Sequence, residues 1–215
     1  RFSHLGETRR GLGLGKGDGI VSDLGVSRWQ LTSLEGGFSC QQAGPLDMRM
    51  DRGQDLTAGD LVNRASETDL ANWIFQYGEE RRHARRIARA TVKARPVRDS
   101  LHLAEVIASV VPRTGKLHPA TKVFQALRMV VNDEEGELAA LLEQAPEWIK
   151  PGGRWVVIAF QSLDDRKVKR RFQSLAREGR AAILTKHVVR PGAEETRVNP
   201  PSRSAVLRAL EMAAE

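Results

Sequence analysis

The segment IVSDLGVSRWQLTSLEGGFSCQQAGPLDMRMD, from Ile20 to Asp51, decides how the fold is predicted from this sequence. A short apolar run ends on Asp23 and opens into a long polar loop. Ligands of open α/β sheets bind outside the carboxyl ends of the strands, so Asp23 is expected at a pocket. The pattern alone leaves open an ordinary strand followed by a surface loop, because an Asp after an apolar run is common.

Further motifs follow in a fixed order. After DLGVS and Gln30 come GPLDMRMD from Gly44, YGEER from Tyr77, RIARA from Arg86, HPAT from His118, FQALR from Phe124, VND from Val131, PGGR from Pro151, SLDDR from Ser162 and NPPSRSAVLR from Asn199. From about Gly19 onward this order resembles the MraW/RsmH family, ribosomal RNA small subunit methyltransferase H. The resemblance implies an enzyme with S-adenosyl-L-methionine as cofactor. A cytoplasmic location is expected because the single cysteine, Cys40, cannot form an internal disulfide.

The implied reaction is N4-methylation of a cytidine in the decoding region of 16S ribosomal RNA, and the implied partner is that RNA or the ribosomal subunit. The resemblance also implies that Asp23 and Gln30 contact the cofactor. A role for Asp23 as acceptor for the base amine is a weaker implication, and no catalytic residue is assigned.

Three segments depart from the family pattern. The chain has GGFSC from Gly36 where members have RGFSF, and Arg28 and Trp29 replace the second Ser and the Pro of DLGVSSPQ. Gln161 stands where SFHSLEDR of the family has His. Because an amide does not take up a proton near neutral pH, we expect slow catalysis if that His assists the reaction.

The predicted fold class is α/β, a Rossmann-like class I methyltransferase core with an inserted all-helical domain. Strands are predicted at 19–24, 154–160 and 181–189 in a mostly parallel sheet. A helical block is predicted at 57–111, with an interruption at Pro96 and helix starts at Ser66 and at Asp99 or Ser100, and a further helix at 119–149. The expected division is core at 1–53, helical insertion at 54–117 and core again at 118–215. The insertion core is expected to contain Trp73, Phe75 and Tyr77.

No glycine-rich cofactor motif precedes Asp23. The string GLGLGKGDG from Gly11 lies before the strand and fits neither GxGxxG nor a phosphate loop, so it is interpreted as a flexible connection. We therefore expect that the core lacks its amino-terminal part and that the sequence is a fragment.

The 215 residues carry a formal net charge of +7, which favours a polyanionic partner. The segment from Glu79 to Arg95, predicted as one helix, contains seven Arg or Lys residues and two Glu residues. A second basic cluster follows the strand that ends at Phe160 and comprises Arg166, Lys167, Lys169, Arg170 and Arg171. Helix capping is the expected role of Asp164 and Asp165. RNA binding is assigned to a set of cations: Arg49, Arg81, Arg85, Arg89, Arg166 and Lys169.

Other function classes receive no support from the sequence. A metal site is not expected, because the chain has one cysteine and its five histidines show no metal-ligand spacing. The sequence contains no apolar run long enough to predict a membrane-spanning segment. Two alternatives stay open: a non-enzymatic RNA-binding remnant, and an inactive fragment of such an enzyme. A homodimer is also left open.

Overall fold

The computed structural model describes residues 1–27, 34–113, 115 and 117–214. The strands are β1 Gly17–Asp23, β2 Ile149–Ala159, β3 Ala181–Ile183 and β4 Val206–Met212. The helices are α1 Leu5–Gly11, α2 Ala58–Arg64, α3 Glu67–Gln76, α4 Ala84–Lys93, α5 Ser100–Val110, α6 Thr121–Val131, α7 Glu134–Gln144, α8 Ser162–Arg177 and α9 Ala193–Val198. Short 3₁₀ turns occupy Phe2–His4, Leu34–Gly36, Ala145–Trp148 and Pro200–Ser204.

The chain forms two compact units. The sheet unit comprises Arg1–Gly25 and Glu135–Glu215, and the helical unit comprises Val26–Glu134. These limits lie outside the boundaries at 54 and 117 that the sequence predicted. Leu46 and Met48 precede the first boundary and Phe124 and Leu127 follow the second, yet all four are buried in the helical core. The boundaries of the inserted domain at 54 and 117 stay a prediction.

The sheet unit has one sheet of order β1-β2-β4-β3. The pairing of β1 with β2 is parallel, whereas β4 runs antiparallel to both β2 and β3. Three of the four described strands, β1, β2 and β3, therefore run in the same direction, as expected for a mostly parallel sheet. β4 is inserted between β2 and β3 in the opposite direction. The sheet packs on α8 through Trp155 and Phe172, whose ring centroids lie 5.1 Å apart.

Two predicted strands are confirmed, with changed limits. β1 begins at Gly17, so the glycine string that was interpreted as a connection contributes to the strand. β2 begins at Ile149, and Pro151 to Gly153 lie inside it at an irregularity where the register shifts. The third strand is only three residues long, and β4 was not predicted at all.

The helical unit confirms the predicted helical block and two of its helix starts. Ser66 caps α3, its hydroxyl accepting from the Asp69 N–H at 3.0 Å, and Asp99 caps α5 by accepting from the His102 N–H at 2.8 Å. The predicted helix over 119–149 is wrong as a single helix: it divides into α6 and α7, with Asp133 in the left-handed region at φ 46°.

Asn132, between α6 and α7, holds the loop that carries GPLDMRMD. Its amide nitrogen donates to the carbonyl oxygens of Met48 and Arg128, both at 2.8 Å, and its amide oxygen accepts from the Met50 N–H at 2.7 Å. The Met48 side chain is fully buried although its φ is 57°. The clamp therefore fixes a strained segment of backbone in the helical core.

We expect Asn132→Ala to lower the free energy of unfolding by about 1–3 kcal/mol, because it leaves backbone groups of the loop without partners. Thermal unfolding followed by circular dichroism measures the loss. Asn72→Ala, at an exposed position of α3, is the matched control and is expected to leave the midpoint unchanged or slightly raised. Equal shifts in both variants would contradict a clamp at Asn132.

Candidate functional site

The carboxyl ends of β1 and β2 meet at one edge of the sheet. The strands are parallel, and Asp23 is in register with Ile158, one residue before the end of β2. Asp23 is exposed, and no hydrogen bond or ion pair engages its carboxylate within the part of the chain that the structure describes. An acceptor is therefore available where ligands of α/β sheets bind.

The direction of Asp23 follows from its neighbours. Ser22 is 4% exposed and its hydroxyl accepts from the Trp155 indole nitrogen at 3.2 Å, while Leu24 is 5% exposed and its N–H donates to Ile158 at 2.9 Å. Successive side chains of a strand alternate between faces, so two inward residues leave Asp23 outward. Gly25 follows with φ 115°, a conformation that favours glycine.

Phe160 and Gln161 complete the described part of this edge. A Cβ on Gly25 would lie 3.8 Å from the Phe160 ring, and that ring is 39% exposed. Gln161 is half-buried and is the N-cap residue of α8. The edge thus combines a carboxylate, an aromatic ring and an amide, with no titratable group at position 161. Gln30, Arg28 and Trp29 lie outside the described residues.

Asp165 joins α8 to the sheet. Its two carboxylate oxygens accept from Arg208 of β4, from Nε at 2.6 Å and from a terminal nitrogen at 2.9 Å. The side chains are 24% and 12% exposed. The expected capping role of Asp165 is therefore replaced by an ion pair, since Gln161 occupies the cap. Sequence reasoning missed Arg208, although SLDDR and NPPSRSAVLR were both recognised as motifs.

The predicted RNA-binding residues of the helical unit differ in their surroundings. The predicted helix from Glu79 is wrong at its start, because α4 begins at Ala84 and leaves Arg81 in the preceding turn. Arg85 and Arg89 are exposed on α4, and the Arg89 Nε lies 3.4 Å from a Glu67 oxygen. The row of like charges is thus partly balanced.

Arg49 is engaged within its own loop. Its guanidinium pairs with both oxygens of Asp47, at 2.7 and 3.1 Å, and donates to the backbone oxygens of Arg52 and Gln54 at 3.3 and 2.6 Å. All three nitrogens have partners, so this side chain organises the loop. Binding of phosphate by Arg49 stays a prediction.

Arg166 and Lys169 are both exposed on α8 in the sheet unit. Other cations of the same cluster turn inward: Lys167 pairs with Glu135, and the Arg171 Nε donates to the Leu142 oxygen at 3.0 Å. The cluster recognised in sequence therefore divides into structural and solvent-facing members.

The helical unit also has an open cavity of about 520 Å³ beside α2 and α3. Its lining includes Asp55, Asp60, Asp69, Arg64 and Trp73. Three carboxylates against one cation would repel a phosphate backbone, so we exclude this cavity from the RNA surface. Phe75, expected in the core, is 52% exposed, whereas Trp73 packs against the core partly buried.

Within residues 1–27, 34–113, 115 and 117–214 no helix is long and apolar enough to span a membrane. Nor do three or more His, Cys, Asp or Glu side chains come together there in a group that could hold a metal ion.

The sheet with its flanking helices places the chain among the α/β proteins of the Rossmann-like class, in which ligands bind at the carboxyl edge of the strands. The profile of the MraW methylase family matches residues 1–213. The chain belongs to this family.

Similar curated proteins bear the name of this family. The chain is 59% identical over 211 residues to the ribosomal RNA small subunit methyltransferase H of Solibacter usitatus, covering 98% of this chain and 73% of that protein. It is 51% identical to the protein of that name from Crocosphaera subtropica, covering 91% of this chain and 62% of the relative. For Synechococcus elongatus the identity is 47%, with 98% and 71% covered.

Because Arg49 contacts Asp47, we expect the stability of the fold to depend on pH. Its hydrogen bond lowers the pKa of Asp47, against the opposing effect of burial. Because the pKa is lower in the folded state, the pair stabilises the fold above the ordinary Asp range, and the stabilisation is lost as the pH falls below about 4.

Asp47→Asn is expected to lower the free energy of unfolding by about 1 kcal/mol at pH 7, a difference that shrinks as the pH falls from 5 to 3. Denaturant titrations across this range measure it. Asp55→Asn, at an exposed position of the same loop, is the control and is expected to give no such trend. A difference independent of pH would count against the pair.

We expect Arg208→Met to lower the free energy of unfolding by about 1–3 kcal/mol, because Asp165 stays partly buried without its partner while the apolar stem is retained. The control is Arg197→Met: its pair with Glu194 is equally short at 2.6 Å, but Arg197 is 72% exposed. We expect that control to cost at most about 0.5 kcal/mol in denaturant unfolding. Equal losses would show that burial does not matter here.

Proposed function

We propose that this chain acts in S-adenosylmethionine-dependent methylation of small-subunit ribosomal RNA, at N4 of a cytidine in the decoding region of 16S RNA. The observation that carries the proposal is the shared edge of β1 and β2, where Asp23 is in register with Ile158 and Gly25 lies against the Phe160 ring. The names of the relatives support the substrate class. A cytoplasmic location follows from that substrate and is part of the proposal.

The side chains at this edge fit the cofactor chemically. S-adenosylmethionine carries an ammonium group and two ribose hydroxyls, all of which donate hydrogen bonds, and a free carboxylate such as that of Asp23 accepts them. Phe160 offers an exposed ring to an aromatic base. Gln30 is proposed as a second contact. When bound, the cofactor supplies an electrophilic methyl group on a sulfonium.

The chain's contribution to the reaction is mainly positioning. The exocyclic amine of cytosine is a poor nucleophile because its lone pair is delocalised into the ring, so the flipped base must be held with its nitrogen in line with the methyl group. Alignment of this kind can supply up to about 7–11 kcal/mol of the barrier. Gln161 can orient the amine or the ring by hydrogen bonds, and the Asp23 carboxylate can accept a proton.

Binding of the RNA is assigned to exposed cations on two helices. Arg85 and Arg89 of α4, with Arg81 before it, would contact phosphates from the helical unit. Arg166 and Lys169 of α8 would do so from the sheet unit. Contacts of this kind position the RNA and carry little sequence information.

One observation favours a second candidate, RNA binding without methyl transfer. Gln161 gives the edge an amide where the family pattern has His, so the edge lacks a group that titrates near pH 7 at that position. An RNA-binding protein of this kind would retain salt-sensitive affinity for RNA and have none for the cofactor.

Asp23→Asn is expected to weaken binding of S-adenosylmethionine about 10- to 150-fold, the loss of a hydrogen bond to a charged acceptor. Isothermal titration calorimetry measures it. The matched control is Asp18→Asn on the same strand, whose exposed carboxylate pairs with Lys150 at 2.8 Å. We expect that control to bind as the unmodified chain does, and both variants to keep their unfolding midpoints.

Unchanged affinity in Asp23→Asn would remove Asp23 from the cofactor site. A chain that binds no cofactor but binds RNA in a salt-sensitive manner would favour the second candidate.

A further inference from the structure

The outward face of α8 carries a row of exposed polar residues, most of them cations, which we call the outer stripe. At 100° per residue its members fall within about 100° of arc, opposite the buried residues Val168, Phe172 and Leu175. All five members are exposed: Arg166, Lys169, Arg170, Gln173 and Arg177. The stripe contains four cations, one amide and no acid.

The stripe is distinct from the basic residues beside it. Lys167 and Arg171 are half-buried and bond to Glu135 and to the Leu142 oxygen. Among the described residues, the stripe cations form no ion pair, and Arg177 donates from Nε only to the Gln173 backbone oxygen at 3.2 Å. Like charges three and four residues apart repel each other, and a counter-anion would relieve that repulsion.

The position of the stripe relates it to the candidate site. α8 begins directly after Gln161, at the edge that carries Asp23, and Arg166 lies within its first two turns. From Arg166 to Arg177 the stripe extends about 16 Å along the helix axis. It therefore leads away from the edge where the proposed target nucleotide would be held.

We propose that the outer stripe binds consecutive phosphates of the RNA strand that flanks the target nucleotide. The inference rests on the proposed function for the identity of the target, and on the geometry of α8 for the path of the strand. Arginine donates two parallel hydrogen bonds to a phosphate, so Arg166, Arg170 and Arg177 suit this ligand. The contacts are independent of sequence, because they reach only the backbone.

The test compares binding of labelled single-stranded RNA by fluorescence anisotropy at several salt concentrations. The stripe variant changes Arg166, Lys169, Arg170 and Arg177 to Gln. The charge-matched control changes four exposed cations elsewhere in the sheet unit to Gln: Arg10, Lys186, Arg190 and Arg203. A smaller variant, Arg166→Gln with Arg170→Gln, guards against a folding defect in the larger one.

Each lost phosphate contact lowers the slope of log K against log salt by about 0.7 for single-stranded nucleic acid. When the salt concentration rises from 50 to 200 mM, the affinity of both proteins for RNA falls. The fall is expected to be about 50-fold smaller for the stripe variant than for the unmodified chain. The control should keep the original slope, and the double variant should show about half the change. Equal slopes for stripe variant and control would overturn the proposal.

A second comparison separates the stripe from the proposed function. Lengthening the RNA beyond the target on one side should raise the affinity of the unmodified chain and not that of the stripe variant, and both should bind S-adenosylmethionine equally. Cofactor binding without any stripe-dependent RNA affinity overturns the stripe and leaves the methyltransferase proposal standing. Stripe-dependent RNA affinity without cofactor binding supports the stripe and overturns the methyltransferase proposal.

Discussion

The parallel pairing of β1 with β2 is the constraint on which the candidate site depends. It places the ends of both strands at one edge, so that Asp23 is in register with Ile158 and Gly25 lies against Phe160, although these pairs are far apart in sequence. A shift of one residue in β1 would exchange its inward and outward side chains and bury the carboxylate. The bond between Ser22 and Trp155 and the burial of Leu24 oppose that shift, so core packing determines the chemistry of the edge.

α8 connects this edge to the rest of the sheet unit. Its inner face packs into the core through Val168, Phe172 and Leu175, and Asp165 ties its first turn to Arg208 of β4. The start of the helix, and with it Gln161, is therefore held by β4, the strand next to β2. Core packing and the pair between Asp165 and Arg208 involve the inner face of α8 and its border. Within the described part of the chain, the cations on the outer face make no contact on which the fold depends.

Local signals in the sequence predicted local structure well. Ser66 and Asp99 were recognised as helix starts because a cap is encoded within four residues, and the apolar runs before Asp23 and Phe160 indicated β1 and β2. The missed features depend on distant partners. VLRALEM of β4 has no clear alternation, and its strand state comes from pairing with β2 and β3. Nothing near Asn132 in the sequence indicates the clamp on Met48.

The same limit applies to the candidate site and its charges. The sequence could predict an acid at a strand end and a basic chain, but not which cations the fold itself uses. Arg128 pairs bidentately with Glu134, and the Arg95 Nε donates to the Val62 oxygen at 2.8 Å. With Arg49 and Arg208, these guanidinium groups already have internal partners, and withdrawing them would leave partly buried acceptors unpaired. The positive charge available to a polyanion is thus smaller than the count of Arg and Lys implies, and it is concentrated where helices face solvent.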